Sequence, residues 1–163
     1  MKQPIRTGFG FDVHAFAKDR KLIIGGTEIP HDKGLLGHSD ADVLLHAICD
    51  AMLGALSLGD IGTHFPDTDL KYKDADSGEL LRSVNNMITG NGYKIGNLDA
   101  MIAIEKPKIA PFIPAMKKKI SLILECDEDQ VSIKASTTER LGFIGREEGV
   151  SAFVSVLLIT GGK

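Results

Sequence analysis

The order of segments along the chain predicts an α+β domain built on a mixed β-sheet, and three observations carry that expectation. Strand candidates alternate with helix candidates, yet some strand candidates adjoin through short turns, which purely parallel crossovers do not produce. The 163 residues make one domain of ordinary size, residues 1–163, with an interior that needs no disulfide or metal staple. Composition is 43% apolar and 25% charged, the globular average, which disfavours disordered, collagen-like and coiled-coil chains.

Taken in order, Ile5 to Phe16 is a strand candidate broken by Gly8 and Gly10. Lys21 to Ile24, Gly25-Gly26 and Thr27 to Ile29 then form a small hairpin with a glycine turn. A helix is expected from Ser39 to Leu58, because Ser39 and Asp42 make the Ser-x-x-acid form of a capping box ahead of an apolar run, and Gly59 stops it. Gly59 to Asp76 lacks either periodicity and carries five Asp after the Gly, so it is expected to be a loop, long enough to suggest function. A second helix starts at Ser77 and ends near Gly90 to Gly92. A strand follows over Tyr93 to Glu105, then a third helix from about Pro111 to Glu125 with Lys117, Lys118 and Lys119 outside. Val131 to Ser136 and Val150 to Ile159 are the closing strands.

Nineteen Lys and Arg against 22 Asp and Glu give a net charge of -3, so the cationic field that nucleic-acid binding needs is missing. An anionic ligand has to be met by local groups. Cys49 and Cys126 form no CxxC pair, which argues against a disulfide framework and for a reducing compartment. Neither a signal peptide nor a membrane-spanning stretch is visible, and a cytoplasmic protein is expected, or a plastid-type one if a transit peptide has been removed.

Chemistry concentrates in three places. Asp12-Val13-His14 lies in strand-like sequence, where residues two apart share a face, so a carboxylate and an imidazole can converge. With His46 they make a set suited to zinc that leaves a fourth position open; the alternative is that each His simply donates to a nearby carbonyl. The apolar helix around His46 is buried, and Asp42, His46 and Asp50 recur every four residues along it, about 40° apart per step. Such a stripe points to a metal, an ion-pair network or a subunit interface, with Cys49 taken as a small core residue. Gly37-His38-Ser39-Asp40 leads into the helix N-terminus, where phosphate can be held, although Ser39 as a mere cap explains the same residues. Lys134 to Glu139 ends a strand in hydroxyls and one acid. These close a turn, or bind phosphate with a divalent ion between it and Glu139.

Together these segments resemble the 2-C-methyl-D-erythritol 2,4-cyclodiphosphate synthase family nearly end to end. The resemblance rests on Gly10-Phe11-Asp12-Val13-His14, Gly37-His38-Ser39-Asp40 with Asp42 and His46, Leu58-Gly59-Asp60-Ile61-Gly62, Phe65-Pro66-Asp67-Thr68-Asp69, and Thr137-Thr138-Glu139 through Gly145-Arg146. It implies cyclisation of 4-diphosphocytidyl-2-C-methyl-D-erythritol 2-phosphate with release of CMP. Phosphoryl transfer of this kind depends chiefly on positioning and charge neutralisation.

By the same resemblance Asp12, His14 and His46 are zinc ligands, and Glu139 goes with a second divalent ion, Mg2+ or Mn2+. His38 and Thr137 correspond to groups that stabilise the transition state, and Ser39 to a phosphate contact. Asp60, Ile61 and Gly62, with Phe65, Pro66, Asp67, Thr68 and Asp69, match the segments around the methylerythritol moiety. Ile104, Pro107, Lys108, Ile109 and Ala110, with Ser136 and Thr138, match the cytidine and diphosphate side. Phe143 and Arg146 match positions near the substrate and a central cavity for isoprenoid diphosphates. Family members are homotrimers with helices on one face of the sheet and active sites between subunits. This chain departs from the pattern in Ser136, where Thr is common, and in the charged run Glu105-Lys106. Two other functions stay open on the residues alone: a zinc-dependent hydrolase, and a non-catalytic isoprenoid-phosphate binding protein.

Overall fold

Strand β1 runs without interruption over Ile5–Ala17, through both glycines expected to break it. The glycines serve close packing instead. A Cβ on Gly8 would stand 1.9 Å from the Ala51 carbonyl oxygen, and one on Gly10 1.9 Å from that of Ala47, so only glycine lets a helix backbone lie directly on the strand. That helix is α1, Val43–Ala55. The computed structural model describes residues 3–66, 68 and 75–161.

β1 pairs along its length with the antiparallel β7 (Gly149–Thr160), and β4 (Gly34–Leu35) pairs at its far end. β7 pairs on its other side with β5 (Tyr93–Ala103), and β5 lies parallel to β6 (Val131–Ser136). The order β4-β1-β7-β5-β6 is therefore a mixed sheet, as expected. β5 ends two residues earlier than the periodicity suggests. Alternation buries Val150, Ala152, Val154, Val156 and Leu158 of β7 and Leu98, Ala100 and Ile102 of β5, with a register shift between Ile95 and Asn97 carrying the buried Ile95 out of step. Among the described residues, helices cover that face alone. Ile5, Phe9, Phe11 and Val13 of β1 and Phe153 of β7 project from the other face and are exposed.

α1 is almost wholly buried, in keeping with its apolar circumference. It begins four residues later than expected, because Asp42 and not Ser39 is its cap. The Asp42 carboxylate accepts from the Leu44 and Leu45 N–H groups and also from those of Gly25 and Gly26. Gly25 and Gly26 are the turn between β2 (Leu22–Ile24) and β3 (Thr27–Ile29), with φ of 59° and 68°, the left-handed pair that a tight hairpin requires. One buried carboxylate thus ties hairpin to helix, which removes Asp42 from the expected polar stripe. The helix stops at Ala55, short of Leu58, where the chain turns through Ser57 at φ 60°.

The expected loop after Gly59 contains a short helix, α2 (Ile61–His64). Two carboxylates make it: Asp60 accepts from the Thr63 N–H and hydroxyl, and Asp50 of α1 accepts from the Ile61 N–H at 2.7 Å. α3 (Ser77–Gly90) packs on α1 and is capped by Asp76, and α4 (Ile113–Leu124) follows a 3-10 turn at Ala110–Phe112. Lys118 and Lys119 of α4 are exposed and Lys117 is half-buried. A second 3-10 turn, Glu128–Gln130, leads into β6, and α5 (Gly142–Gly145) joins β6 to β7. Among the described residues no helix is long and apolar enough to cross a membrane.

Candidate metal centre and active-site cavity

Asp12 and His14 project from β1 toward α1, and His46 projects from α1 to meet them. His14 Nε2 lies 2.9 Å from Asp12 Oδ2, His46 Nδ1 lies 3.2 Å from the same oxygen, and the two nitrogens are 3.2 Å apart. Ligand atoms around a tetrahedral ion with bonds of about 2.0–2.1 Å are separated by roughly 3.3 Å, so this triangle has the size of a metal-binding face. Its donor set, one carboxylate and two imidazoles, suits a divalent ion with a position left open. Among the described residues it is the one group of three or more His, Cys, Asp or Glu gathered closely enough to hold an ion.

Electrostatics agree with the geometry. Burial works to raise the Asp12 carboxyl, but hydrogen bonds and charge from His14 and His46 prevail and hold it at about 2. Burial likewise opposes protonation of His14, yet its bond to Asp12, the Asp12 charge and the Leu36 carbonyl raise it overall. The outer nitrogen of each ring is engaged. His14 Nδ1 donates to the Leu36 carbonyl at 2.8 Å, a carbonyl brought there because Leu36 N bonds back to Ala15 O of β1. His46 Nε2 lies 2.9 Å from Ser77 Oγ and 3.2 Å from Ser39 Oγ. The Ser39 hydroxyl also accepts from Ala41 N, while Arg20 holds the Ser39 carbonyl at 2.7 Å.

A cavity of about 450 Å³ opens over the metal centre, lined by His14, His46, Gly37, His38 and Ser39, with Ile61, Gly62, Phe65, Pro66 and Leu80 on its far wall. The sequence-predicted histidine, serine and methylerythritol-side residues therefore share one space. Asp60, committed to Thr63, stands at its edge, Thr68 is exposed, and Asp67 and Asp69 lie outside the described residues. A second cavity of about 310 Å³ collects the expected cytidine-side group: Ile104, Pro107, Lys108, Ile109 and Ala110 against Ala135, Ser136 and Thr137. The two cavities share no lining residue. Beside the second, Thr137 Oγ1 donates to Glu139 Oε1 at 3.2 Å, and Thr138 Oγ1 donates to the Leu141 carbonyl. Glu139 does not join the Asp12, His14 and His46 group within the chain. Glu105 and Lys106, the charged departures, both find partners, since Glu105 accepts from Thr138 N at 3.3 Å and Lys106 pairs with Glu147 at 3.0 Å. Phe143 is exposed, and Arg146 makes a two-pronged pair with Glu148.

Three side chains take roles that spacing did not disclose. Asp50 holds the backbone of α2 by accepting from Ile61 N, and His46 acts on its carboxylate through charge. Ser77 and Asp40, legible only as a helix start and as part of a His-Ser-Asp run, stand behind His46. The Cys49 thiol is fully buried, and burial pushes its pKa up, so it stays a core residue.

A one-sided α+β sheet with a carboxylate and two imidazoles gathered beside an open cavity defines a protein whose Asp/His/His group could hold a divalent ion next to a ligand. The model of the YgbB family matches residues 5–159. A curated 2-C-methyl-D-erythritol 2,4-cyclodiphosphate synthase of Clostridioides difficile is 60% identical over 157 residues, covering 96% of this chain and 98% of that one. The synthase of the same name from Geobacillus thermodenitrificans is 61% identical over 153 residues, 94% of this chain and 96% of its own. Among solved structures, the Plasmodium falciparum IspF CDP complex superposes with a TM-score of 0.87 at 36% identity, covering 99% of this chain and all of that one. The chain belongs to the YgbB family.

Proposed function

We propose that this chain converts 4-diphosphocytidyl-2-C-methyl-D-erythritol 2-phosphate to 2-C-methyl-D-erythritol 2,4-cyclodiphosphate and CMP. The observation that carries this function is the convergence of Asp12, His14 and His46 at the base of the cavity, in a chain about 60% identical to synthases of that name. An oxygen of the 2-phosphate attacks the β-phosphorus, a new P–O bond closes the ring, and the bond to CMP breaks. Both reacting groups are anions, so the enzyme's task is to hold them in line and spread their charge.

Asp12, His14 and His46 would hold zinc and Glu139 would hold Mg2+ or Mn2+, and ions bound there would supply fixed positive charge to the phosphate and diphosphate oxygens. His38, exposed on the cavity wall, and Thr137 donate to charge developing on phosphoryl oxygens, and Ser39 contacts phosphate. Ile61, Gly62, Phe65 and Pro66 enclose the methylerythritol side, with Asp60, Asp67, Thr68 and Asp69 flanking it. Ile104 to Ala110 and Ser136 to Thr138 take the cytidine side, in keeping with the CDP of the Plasmodium relative. The metal-side and nucleotide-side cavities lie apart on one chain, and the sheet face carrying Phe9, Phe11, Val13 and Phe153 is open and apolar. Both features support a homotrimer in which neighbouring copies complete each active site, with Phe143 and Arg146 toward the centre. Cytoplasmic location belongs to the same proposal, consistent with two free cysteines.

The deciding experiment incubates metal-replete protein with the nucleotide substrate in 18O-water. Equimolar CMP and cyclic diphosphate without solvent oxygen are expected; linear phosphate products carrying 18O would establish a hydrolase instead.

A further inference from the structure

The metal-facing nitrogen of His46 is Nδ1, so a metal centre requires the ring proton to sit on Nε2. What faces Nε2 decides whether it does. Ser77, fully buried at the first turn of α3, presents its Oγ 2.9 Å away. A hydroxyl has one hydrogen, and that of Ser77 is committed to Asp40 Oδ1 in a very short bond. Asp40 cannot reverse the direction: its Oδ2 accepts from Ser77 N at 3.1 Å, and Oδ1 also accepts from Asp42 N at 3.3 Å, so among the described residues each hydrogen-bond partner of the carboxylate donates to it. Ser77 Oγ is therefore left to accept, and the group opposite it has to carry a proton. Ser39, the other neighbour of Nε2, already accepts from Ala41 N and fits either direction.

From this donor bookkeeping we infer that Asp40 and Ser77 are positioning residues for the metal centre, a relay that locks His46 as its Nε2–H tautomer and aims the Nδ1 lone pair at the ion. The inference rests on the metal-centre part of the proposed function and adds to it two residues outside the ligand set. The order Asp40, Ser77, His46 runs through three segments: the stretch before α1, the start of α3 and the middle of α1. Asp40 N also bonds to the Ala75 carbonyl, so the relay fastens the end of the long loop to the centre.

The test uses the full chain with Asp40→Asn and Ser77→Ala. Asp40→Asn is isosteric, but its NH2 cannot accept. If it keeps the bond from Ser77 N, it donates to Ser77 Oγ, whose hydroxyl then turns to His46 Nε2 and drives the ring proton onto Nδ1. Zinc affinity by chelator competition is expected to fall about 10- to 100-fold in both variants, the scale of losing a group that orients a ligand. In the metal-free chain, 15N imidazole spectra are expected to show His46 as Nε2–H in the parent and displaced toward Nδ1–H in Asp40→Asn. Parent-like zinc affinity in Asp40→Asn would overturn the relay. So would weakened affinity with His46 still Nε2–H, which would mark Asp40 as structural only. Should Ser77→Ala fail to fold, Asp40→Asn decides alone. A parent chain whose zinc binding survives His46→Ala would instead sink the metal centre itself.

Discussion

Each imidazole at the centre has one nitrogen toward the ion point and the other bonded outward, to a carbonyl for His14 and to hydroxyls for His46. Substitution separates the roles of the two nearby histidines. His46→Ala is expected to abolish both stoichiometric zinc, measured by elemental analysis, and turnover. His38→Ala is expected to keep the zinc and slow turnover roughly 100- to 1,000-fold, the scale of losing one transition-state donor. Protons compete at the same place. Asp12, held at about 2 against an ordinary 3.8, stabilises the metal-free fold above its ordinary value and loses that contribution as pH falls toward 2. His14, raised above 6.5, stabilises it fully below 6.5 and loses that contribution as pH rises through its folded value. Zinc needs His14 neutral, so zinc affinity is expected to weaken as pH drops through that raised value, with proton release on binding visible by calorimetry in buffers of different ionisation enthalpy. Of these residues, the convergence of Asp12, His14 and His46 was legible in the sequence, because a two-residue step in a strand and an inward helical position are periodic features. Ser77 and Asp40 were not, since they meet His46 only through contacts spanning 31 and 37 residues of chain, and no local period records those.

Elements place the groups. Gly10→Ala puts a Cβ into the α1 backbone, and overpacking of that kind costs about 2 kcal/mol or more, roughly 4–8 °C of melting temperature for a chain of this size. Because the helix that has to move carries His46, zinc affinity is expected to fall along with Tm. A core overpacked elsewhere would lower Tm alone. Asp50→Ala removes the acceptor that starts α2, and a hydrogen bond to a charged group contributes about 1.5–3 kcal/mol. With Ile61, Gly62, Phe65 and Pro66 loosened, KM for the nucleotide substrate is expected to rise at least about tenfold while zinc affinity stays unchanged. Strands, α1 and the hairpin were readable from alternation, apolar run and Gly-Gly turn. The glycines of β1 were misread as interruptions, because a sequence shows the missing side chain but not the helix that needs its space. α2 was missed because its cap and its anchor, Asp60 and Asp50, lie 10 residues apart and act jointly.

At the scale of the molecule, a sheet covered by helices on one side leaves an apolar face that a lone copy would hold in water. Phe11 and Phe153 meet across β1 and β7 with ring centroids 5.0 Å apart and planes tilted by 44°, at paired positions on that face. Sedimentation is expected to give three chain masses. Phe9→Glu is expected to yield monomer that retains zinc and loses turnover, because the nucleotide-side cavity would no longer meet a neighbour's metal side. Monomer with full turnover would show that one chain holds a whole active site. Assembly was implied by family likeness and by little else in the sequence, since exposed Phe and Val in a strand read the same way as core.

Backbone-on-backbone packing of β1 against α1 has a further result for how such a protein can vary. The separation between the strand that carries Asp12 and His14 and the helix that carries His46 is limited by peptide atoms at Gly8 and Gly10, where a Cβ would stand 1.9 Å from a helix carbonyl oxygen. Drift in interior positions that touch neither the three side chains nor Ser77 and Asp40 behind His46 can therefore soften or stiffen the chain without changing that spacing. In this chain that separation rests on a single pair of hydrogen-only residues.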